Sequence, residues 1–183
     1  AVPRGFTFSI DFNFFLRNAA TAIPLLRELE QNEHIAIFEG PIPQEDVEGN
    51  SEIQRRTTKP ISLHVGVPPL STALKENVCD GFVMYGGCVN EVRGRSAILA
   101  MANKPFWLQM PGTGIMTAFT LHLGAILSHA QWPAVTCHET WADDLLKERL
   151  EVRNGYIRVP EEPGLGVEVD EDALHRFRVN SAP

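Results

Sequence analysis

The sequence predicts an α/β fold of about six strand-helix units, and two observations support this prediction. Short apolar runs recur along the 183 residues, and the segments between them are long enough for one crossover helix each. Several of the runs are continuously apolar, which is typical of parallel strands covered on both faces. The six candidate strands are Phe6–Ile10, Ile35–Phe38, Ile61–Leu63, Phe82–Tyr85, Phe106–Leu108 and Ala134–Cys137.

The pattern changes after residue 150. Val152–Val159 predicts a hairpin whose type I′ turn lies at Asn154-Gly155. A short helix around Ala173 is expected to follow. The sequence therefore divides into a part with the strands and their helices, residues 1–150, and a C-terminal hairpin and tail, residues 151–183.

Composition excludes several classes of partner. The net charge is −7, and Lys and Arg are not clustered, so we expect neither nucleic acid nor an anionic membrane to be bound. No apolar run approaches the roughly 18 residues of a membrane span, and the N-terminus lacks a signal-peptide pattern. A cytoplasmic protein is the expectation.

The cysteine pattern predicts no cross-links between parts of the chain. Cys79, Cys88 and Cys137 are odd in number and lack CxxC spacing, which predicts neither disulfides nor a zinc site. We expect each to be a small buried apolar residue.

The strand-helix pattern alone leaves two architectures open. An open doubly wound sheet and a closed eight-stranded barrel both alternate strands with helices, and six units are two short of a barrel. No GxGxxG follows the first strand, and Gly112-Thr-Gly114 is only a weak signal for anion binding at a helix start.

Two acidic residues end successive predicted strands. Asp11 follows the first strand and Glu39 follows the second. Because the carboxyl ends of parallel strands form the active face of such folds, the two carboxylates can share one hard divalent cation. The alternative is that each merely caps the following helix.

Several segments, in this order and spacing, resemble the mandelate racemase and muconate lactonizing group of the enolase superfamily. These segments are Asp11–Asn13, Glu39–Pro43, Lys59–Leu63, Asp80–Gly87, Lys104–Gly114 and Pro160–Gly166. The resemblance covers nearly the whole chain. It implies a partial TIM-type (β/α)₈ barrel that comprises strands three to eight.

The resemblance also implies a chemistry. In this group Mg²⁺, with Mn²⁺ as an alternative, binds the substrate carboxylate while a base removes the neighbouring proton. By motif, Asp11 and Glu39 match the first two metal ligands, and Asn13 matches a polar, substrate-binding neighbour. We expect a lyase, preferably a dehydratase, or a racemase-like enzyme that acts on a hydroxy acid or sugar acid.

The sequence departs from the family at the third ligand. The usual Glu is replaced in Leu63-His-Val-Gly66, where His64 is the nearest substitute. Imidazole suits transition ions better than Mg²⁺, so His64 is a candidate ligand, base or substrate contact. A structural, hydrogen-bonded histidine is the alternative.

The expected acid-base residues also differ from those of the family. Gln109 lies where the seventh strand often carries a histidine, and an amide cannot shuttle protons near neutral pH, although it can bind a substrate oxygen. His138 and Glu139 on the eighth strand are the remaining catalytic candidates. Neighbours on a strand face opposite sides, so only one should face the substrate.

The resemblance finally suggests what this chain lacks. It begins just before the family's third strand, without the second-strand lysine motif or the capping domain. We therefore expect a homo-oligomer, or association with an N-terminal portion, around a small carboxylic-acid substrate. A catalytically silent family member that binds acids or serves a structural role is the alternative function.

Overall fold

The computed structural model describes residues 5–179, in which strands and helices alternate along the chain. The strands are β1 (Phe8–Asp11), β2 (Ile35–Glu39), β3 (Ile61–His64), β4 (Gly81–Met84) and β5 (Phe106–Leu108). The helices are α1 (Ala19–Leu29), α2 (Val47–Arg56), α3 (Leu70–Lys75), α4 (Val89–Met101), α5 (Gly114–Ile126) and α6 (Glu171–Arg176), with a short 3₁₀ helix at His138–Thr140.

The five strands form one sheet in chain order, β1-β2-β3-β4-β5. The pairs β1-β2, β2-β3 and β3-β4 are parallel. Between β4 and β5, the backbone N–H of Phe82 donates to the carbonyl of Pro105 at 3.0 Å. The predicted arrangement of parallel strands joined by crossover helices is confirmed.

The sixth predicted strand, Ala134–Cys137, is reduced to a single parallel bridge between Gln109 and Val135. Val135 donates to Leu108 and accepts from Met110, both at 2.9 Å. Cys137 then adopts a left-handed φ of 54°, which ends the extended conformation. The prediction of a sixth full strand is therefore wrong, although its position beside the fifth is right.

Side-chain caps define where three helices begin. The side chain of Asn18 accepts from the N–H of Thr21 at the start of α1, and Asp46 and Asp170 do the same for α2 and α6. Each cap satisfies a backbone donor that has no partner within the helix. In α1 the buried stripe includes Ala22 and Leu26, which are both fully buried.

The chain divides into two compact units. The first comprises the chain up to Tyr85 together with Ala97–Phe106, and the second comprises Gly86–Ser96 and the chain from Trp107 onward. Each unit has its own apolar core. Large buried side chains of the first are Leu26, Ile35, Phe38, Ile53, Leu63, Phe82 and Phe106, and buried apolar residues of the second are Val92, Leu108, Ala118, Leu123 and Leu146.

The C-terminal region contains the predicted turn. Asn154 and Gly155 both have positive φ, 53° and 80°, as a type I′ turn requires. The flanking Arg153 and Tyr156 form an antiparallel bridge. The domain boundary at residue 150 stays a prediction, and residues 1–4 and 180–183 lie outside the described part of the chain.

Two further expectations, on cysteine burial and on membrane-spanning helices, can be compared with the structure. Cys79 is buried as predicted, but Cys88 and Cys137 are exposed, so the expectation of burial is wrong for those two. Within residues 5–179, every helix is too short or too polar to span a lipid bilayer.

Candidate functional site

The carboxyl ends of β1 and β2 carry the two acids in register. Asp11 is the last residue of β1, Glu39 is the last residue of β2, and the two are paired in the parallel ladder. Neighbouring strands lie about 4.8 Å apart, so this register sets the two carboxylates side by side on adjacent strands. Asp11 is exposed, whereas the Glu39 side chain is only 8% exposed.

The backbone after β1 keeps contact with the end of β2. Phe12 donates to the carbonyl of Glu39 at 2.9 Å, and Phe14 donates to the carbonyl of Gly40 at 2.7 Å. Asn13 between them has a left-handed φ of 47°, and its backbone N–H donates to Asp11 Oδ1 at 2.8 Å. Asn13 thus contacts Asp11 through its main chain.

His64, the last residue of β3, joins this group through Glu39. Its Nε2 lies 3.0 Å from Glu39 Oε1, and its side chain is 22% exposed. Two aromatic rings meet the imidazole edge-on, with centroids 6.1 Å away for Phe14 and 5.1 Å away for Tyr85. The imidazole is therefore held by a buried carboxylate and two aromatic rings.

Gln44 is a contributor that the sequence did not reveal. It follows the Pro-Ile-Pro segment after β2 and is 7% exposed. Its Oε1 accepts the backbone N–H of His64, and its Nε2 donates to the carbonyl of Val67 at 2.9 Å. One buried carboxamide thereby ties the loop after β2 to the end of β3.

The aromatic contact on His64 depends on a glycine. Gly40 has a left-handed φ of 50°, and a Cβ built there would lie 2.7 Å from Cε1 of Phe14. Real side chains do not approach that closely. Glycine at this position is what lets the Phe14 ring lie against the end of β2.

The donors of this group fit a divalent cation in chemical type. Asp11 and Glu39 offer carboxylate oxygens, which hard cations favour, and His64 offers an imidazole nitrogen. Asp11 Oδ1 also accepts from the backbone of Asn13, which leaves its Oδ2 for a cation. Among the described residues, no three His, Cys, Asp or Glu side chains converge closely enough to hold a metal ion as they stand.

In the second unit, Gln109 lies directly after β5. Its Oε1 accepts from Trp107 Nε1 at 3.2 Å, and the Trp107 ring packs on Trp132 with centroids 5.4 Å apart. Since the carboxamide oxygen faces the indole, the amide N–H groups of Gln109 are the ones that could donate to a ligand.

His138 and Glu139 differ sharply in environment. His138 is 5% exposed and its Nδ1 lies 3.1 Å from Thr136 Oγ1, whereas Glu139 is exposed. Both lie in the 3₁₀ helix that follows the left-handed Cys137, so the strand alternation that was expected to separate them does not apply. The structure still buries only one of the pair.

Comparisons with known proteins agree on one family. A family model described as enolase C-terminal domain-like matches residues 1–173. The N-succinylamino acid racemase of Thermus thermophilus is 25% identical over 161 residues, which are 82% of this chain and 43% of that protein. The D-xylonate dehydratase of Haloferax volcanii is 25% identical over 165 residues, which are 85% of this chain and 39% of that protein.

A solved structure agrees with this grouping. Muconate cycloisomerase from Pseudomonas fluorescens superposes with a TM-score of 0.84 at 22% identity, covering 95% of this chain and 50% of its own. That likeness confirms the fold class, an α/β partial barrel of the (β/α)₈ type. This chain spans less than half the length of the two curated relatives described above.

Proposed function

The chain belongs to the enolase C-terminal domain-like family, in the mandelate racemase and muconate lactonizing group, and we propose that the protein removes the proton α to a substrate carboxylate. The substrate class is a hydroxy acid or sugar acid, and loss of water is the preferred outcome over racemisation. One relative is a dehydratase of a sugar acid, D-xylonate, which supports that preference.

The pairing of Asp11 with Glu39 carries this proposal. The two carboxylates end adjacent parallel strands in register, at the edge where such folds place their chemistry. Glu39 is buried, and a buried carboxylate requires a partner of opposite charge or a strong hydrogen-bond donor. His64 already supplies one such partner for Glu39, and a cation would supply a second. Helix capping explains neither acid, since Asn18 and Asp46 cap the two following helices.

A divalent cation, Mg²⁺ or Mn²⁺, would be held by Asp11 and Glu39, with His64 as the third donor. When bound, the cation neutralises the substrate carboxylate and the negative charge that develops as the α-proton leaves. Asn13 and Gln109 would contact substrate oxygens. In this proposal the amide N–H groups of Gln109 donate, because its oxygen is taken by Trp107.

His138 is the first of three candidates for proton transfer. Its imidazole is buried and oriented through Nδ1 by Thr136, so Nε2 is the nitrogen available for exchange. Glu139 is the second candidate, and its exposure favours a role in contact with solvent. His64 is the third candidate, although its contact with Glu39 fits the metal site better.

The test is isotope exchange and product formation on a panel of sugar acids. Purified full-length protein is incubated in D₂O with Mg²⁺ or Mn²⁺, and loss of the α-proton is followed by NMR. We expect Asp11→Asn and Glu39→Gln each to slow exchange about 100-fold or more, the scale of losing a preorganised electrostatic contact. Glu45→Gln, at an exposed position in the loop after β2, is the matched control and should retain the wild-type rate.

A silent, acid-binding family member is the second candidate function. The observation that favours it is His64 at the third ligand position, with no preassembled trio among the described residues. Thermal stabilisation by sugar acids, without isotope exchange or product, would replace the enzymatic proposal with this one.

A further inference from the structure

We infer that His64 shifts the ion preference of this site from Mg²⁺ toward a divalent transition ion such as Mn²⁺ or Co²⁺. The inference rests on the proposed function, because it concerns the cation held by Asp11 and Glu39. It starts from a departure within this chain, where an imidazole stands in place of a carboxylate.

The spacing of the two fixed donors suits a common ion. Glu39 Oε1 and His64 Nε2 lie 3.0 Å apart. Two ligands that sit at right angles around one ion, each about 2.1 Å from it, have donor atoms about 3.0 Å apart. The same distance also suits a hydrogen bond, so an ion can replace the shared proton once the imidazole and the carboxylate turn toward it.

The imidazole is held beside Glu39 by contacts on its ring and on its backbone. Phe14 and Tyr85 meet its ring edge-on, and Gln44 accepts its backbone N–H. The two aromatic neighbours reduce the space in which the ring can rotate. A ligand held in place before the ion arrives loses little conformational freedom on binding.

The charge of the donor set also favours a transition ion over Mg²⁺. Three carboxylates would bring a charge of −3 to the ion, whereas Asp11 and Glu39 with a neutral imidazole bring −2. The lost charge weakens Mg²⁺, whose binding is almost wholly electrostatic and whose preferred donors are oxygens. A transition ion recovers part of that loss through its bond to the imidazole nitrogen.

The experiment compares ion preference between His64 and a restored carboxylate. Mg²⁺ and Mn²⁺ dissociation constants are measured by calorimetry on the purified full-length wild type, on His64→Glu and on His64→Gln. We expect the preference for Mn²⁺ over Mg²⁺ to fall about tenfold or more in His64→Glu, since its carboxylate restores an all-oxygen donor set. His175→Gln, an exposed position in α6, is the control and should retain the wild-type ratio.

Pulsed EPR of bound Mn²⁺ gives a readout independent of activity, and its wild-type measurement does not depend on how the variants fold. Protein labelled with ¹⁵N-histidine should show nitrogen coupling to Mn²⁺ in the wild type, and the coupling should vanish in His64→Gln. Equal ion ratios in wild type and His64→Glu, or no nitrogen coupling, overturn the inference while leaving the metal-dependent proposal standing. Failure of the wild type to bind either ion overturns both.

Discussion

Gln44 holds His64 by its backbone: the side-chain oxygen of this buried residue accepts the His64 N–H, while its amide nitrogen donates to the carbonyl of Val67. The contact lies where β3 ends and the candidate site begins. Gln44 therefore fixes the strand end from which the imidazole reaches Glu39. Its effect on the site and its effect on stability can be measured independently.

Replacing Gln44 by Leu should destabilise the fold and weaken ion binding together. Leucine fills a similar volume but leaves the His64 N–H without its acceptor, which costs about 1–3 kcal/mol for a buried group. Loss of a contact that orients a ligand should reduce ion affinity about tenfold. Urea denaturation and calorimetry measure the two effects.

The control for this change is Gln31→Leu, at an exposed position beyond α1. Its stability should stay within about 0.5 kcal/mol of wild type, as expected for exposed substitutions. Ion affinity unchanged in Gln44→Leu, despite lower stability, would show that Gln44 does not position His64.

Gly40→Ala should be more costly than Gly86→Ala, although both glycines have similar left-handed φ values of 50° and 61°. The added methyl at Gly86 meets nothing within 4 Å, so that variant bears only the backbone penalty of about 1–2 kcal/mol. At Gly40 the methyl also strikes the Phe14 ring. Thermal or urea unfolding of both variants measures the difference.

The Phe14→Leu background separates the two costs at Gly40. With the ring removed, Gly40→Ala should cost about as much as Gly86→Ala, because only the φ penalty remains. An undiminished cost of Gly40→Ala in that background would rule out the clash with Phe14 as its cause.

Asp80 should stabilise the start of β3 without affecting the candidate site at the end of that strand. Its Oδ2 accepts the N–H of Ile61 and its Oδ1 accepts from Gln54, both at 2.8 Å. Because Ile61 is fully buried, Asp80→Ala leaves an unpaired donor and should cost about 2–3 kcal/mol. Asp80→Asn keeps one acceptor oxygen and should cost less.

Ion binding is the control measurement for Asp80. The first residue of β3 is Ile61 and the last is His64, so the Asp80 contacts and the candidate ligand lie at opposite ends of that strand. We expect Mn²⁺ affinity in Asp80→Asn to match wild type. A matching drop in stability and in affinity would mean that the two ends are coupled.

The strands were predictable because the apolar run that indicates a strand lies within a few consecutive residues. Runs such as Ile35–Phe38 and Phe82–Met84 are short, continuous and apolar, and the structure buries them in the sheet. The run at Ala134–Cys137 looked the same but forms one bridge, since Pro133 lacks an N–H and Cys137 turns left-handed. Composition alone does not reveal where the backbone leaves the extended conformation.

The positions of the candidate residues in the fold were predictable, but their contacts were not. Strand ends placed Asp11, Glu39 and His64 at one edge, and the structure pairs Asp11 with Glu39 in the parallel ladder. The bond between Glu39 and His64 depends on side-chain rotamers. The role of Gln44 depends on the path of a loop with no periodic pattern, so no sequence rule identifies either one.

Cys79 provides a pH-dependent prediction. Burial raises the pKa of its thiol from 9.0 to about 12, while nearby Lys104 lowers the pKa by a smaller amount and nearby Asp80 raises it further. Above pH 9 the unfolded chain releases this proton while the folded chain keeps it, so the stability due to this group falls as pH rises toward 12. The slope is at most about 1.4 kcal/mol per pH unit.

Comparison with Cys79→Ala isolates this contribution, because other titrating groups are common to both proteins. From pH 8 to 10.5 the wild type should lose about 2 kcal/mol more stability than the variant, measured by urea unfolding at each pH. Exposed Cys88 and Cys137 should react with a thiol reagent in the native state, whereas Cys79 should react only after unfolding. Parallel stability curves, or three reactive thiols in the native protein, would mean that the Cys79 thiol is not held protonated by burial.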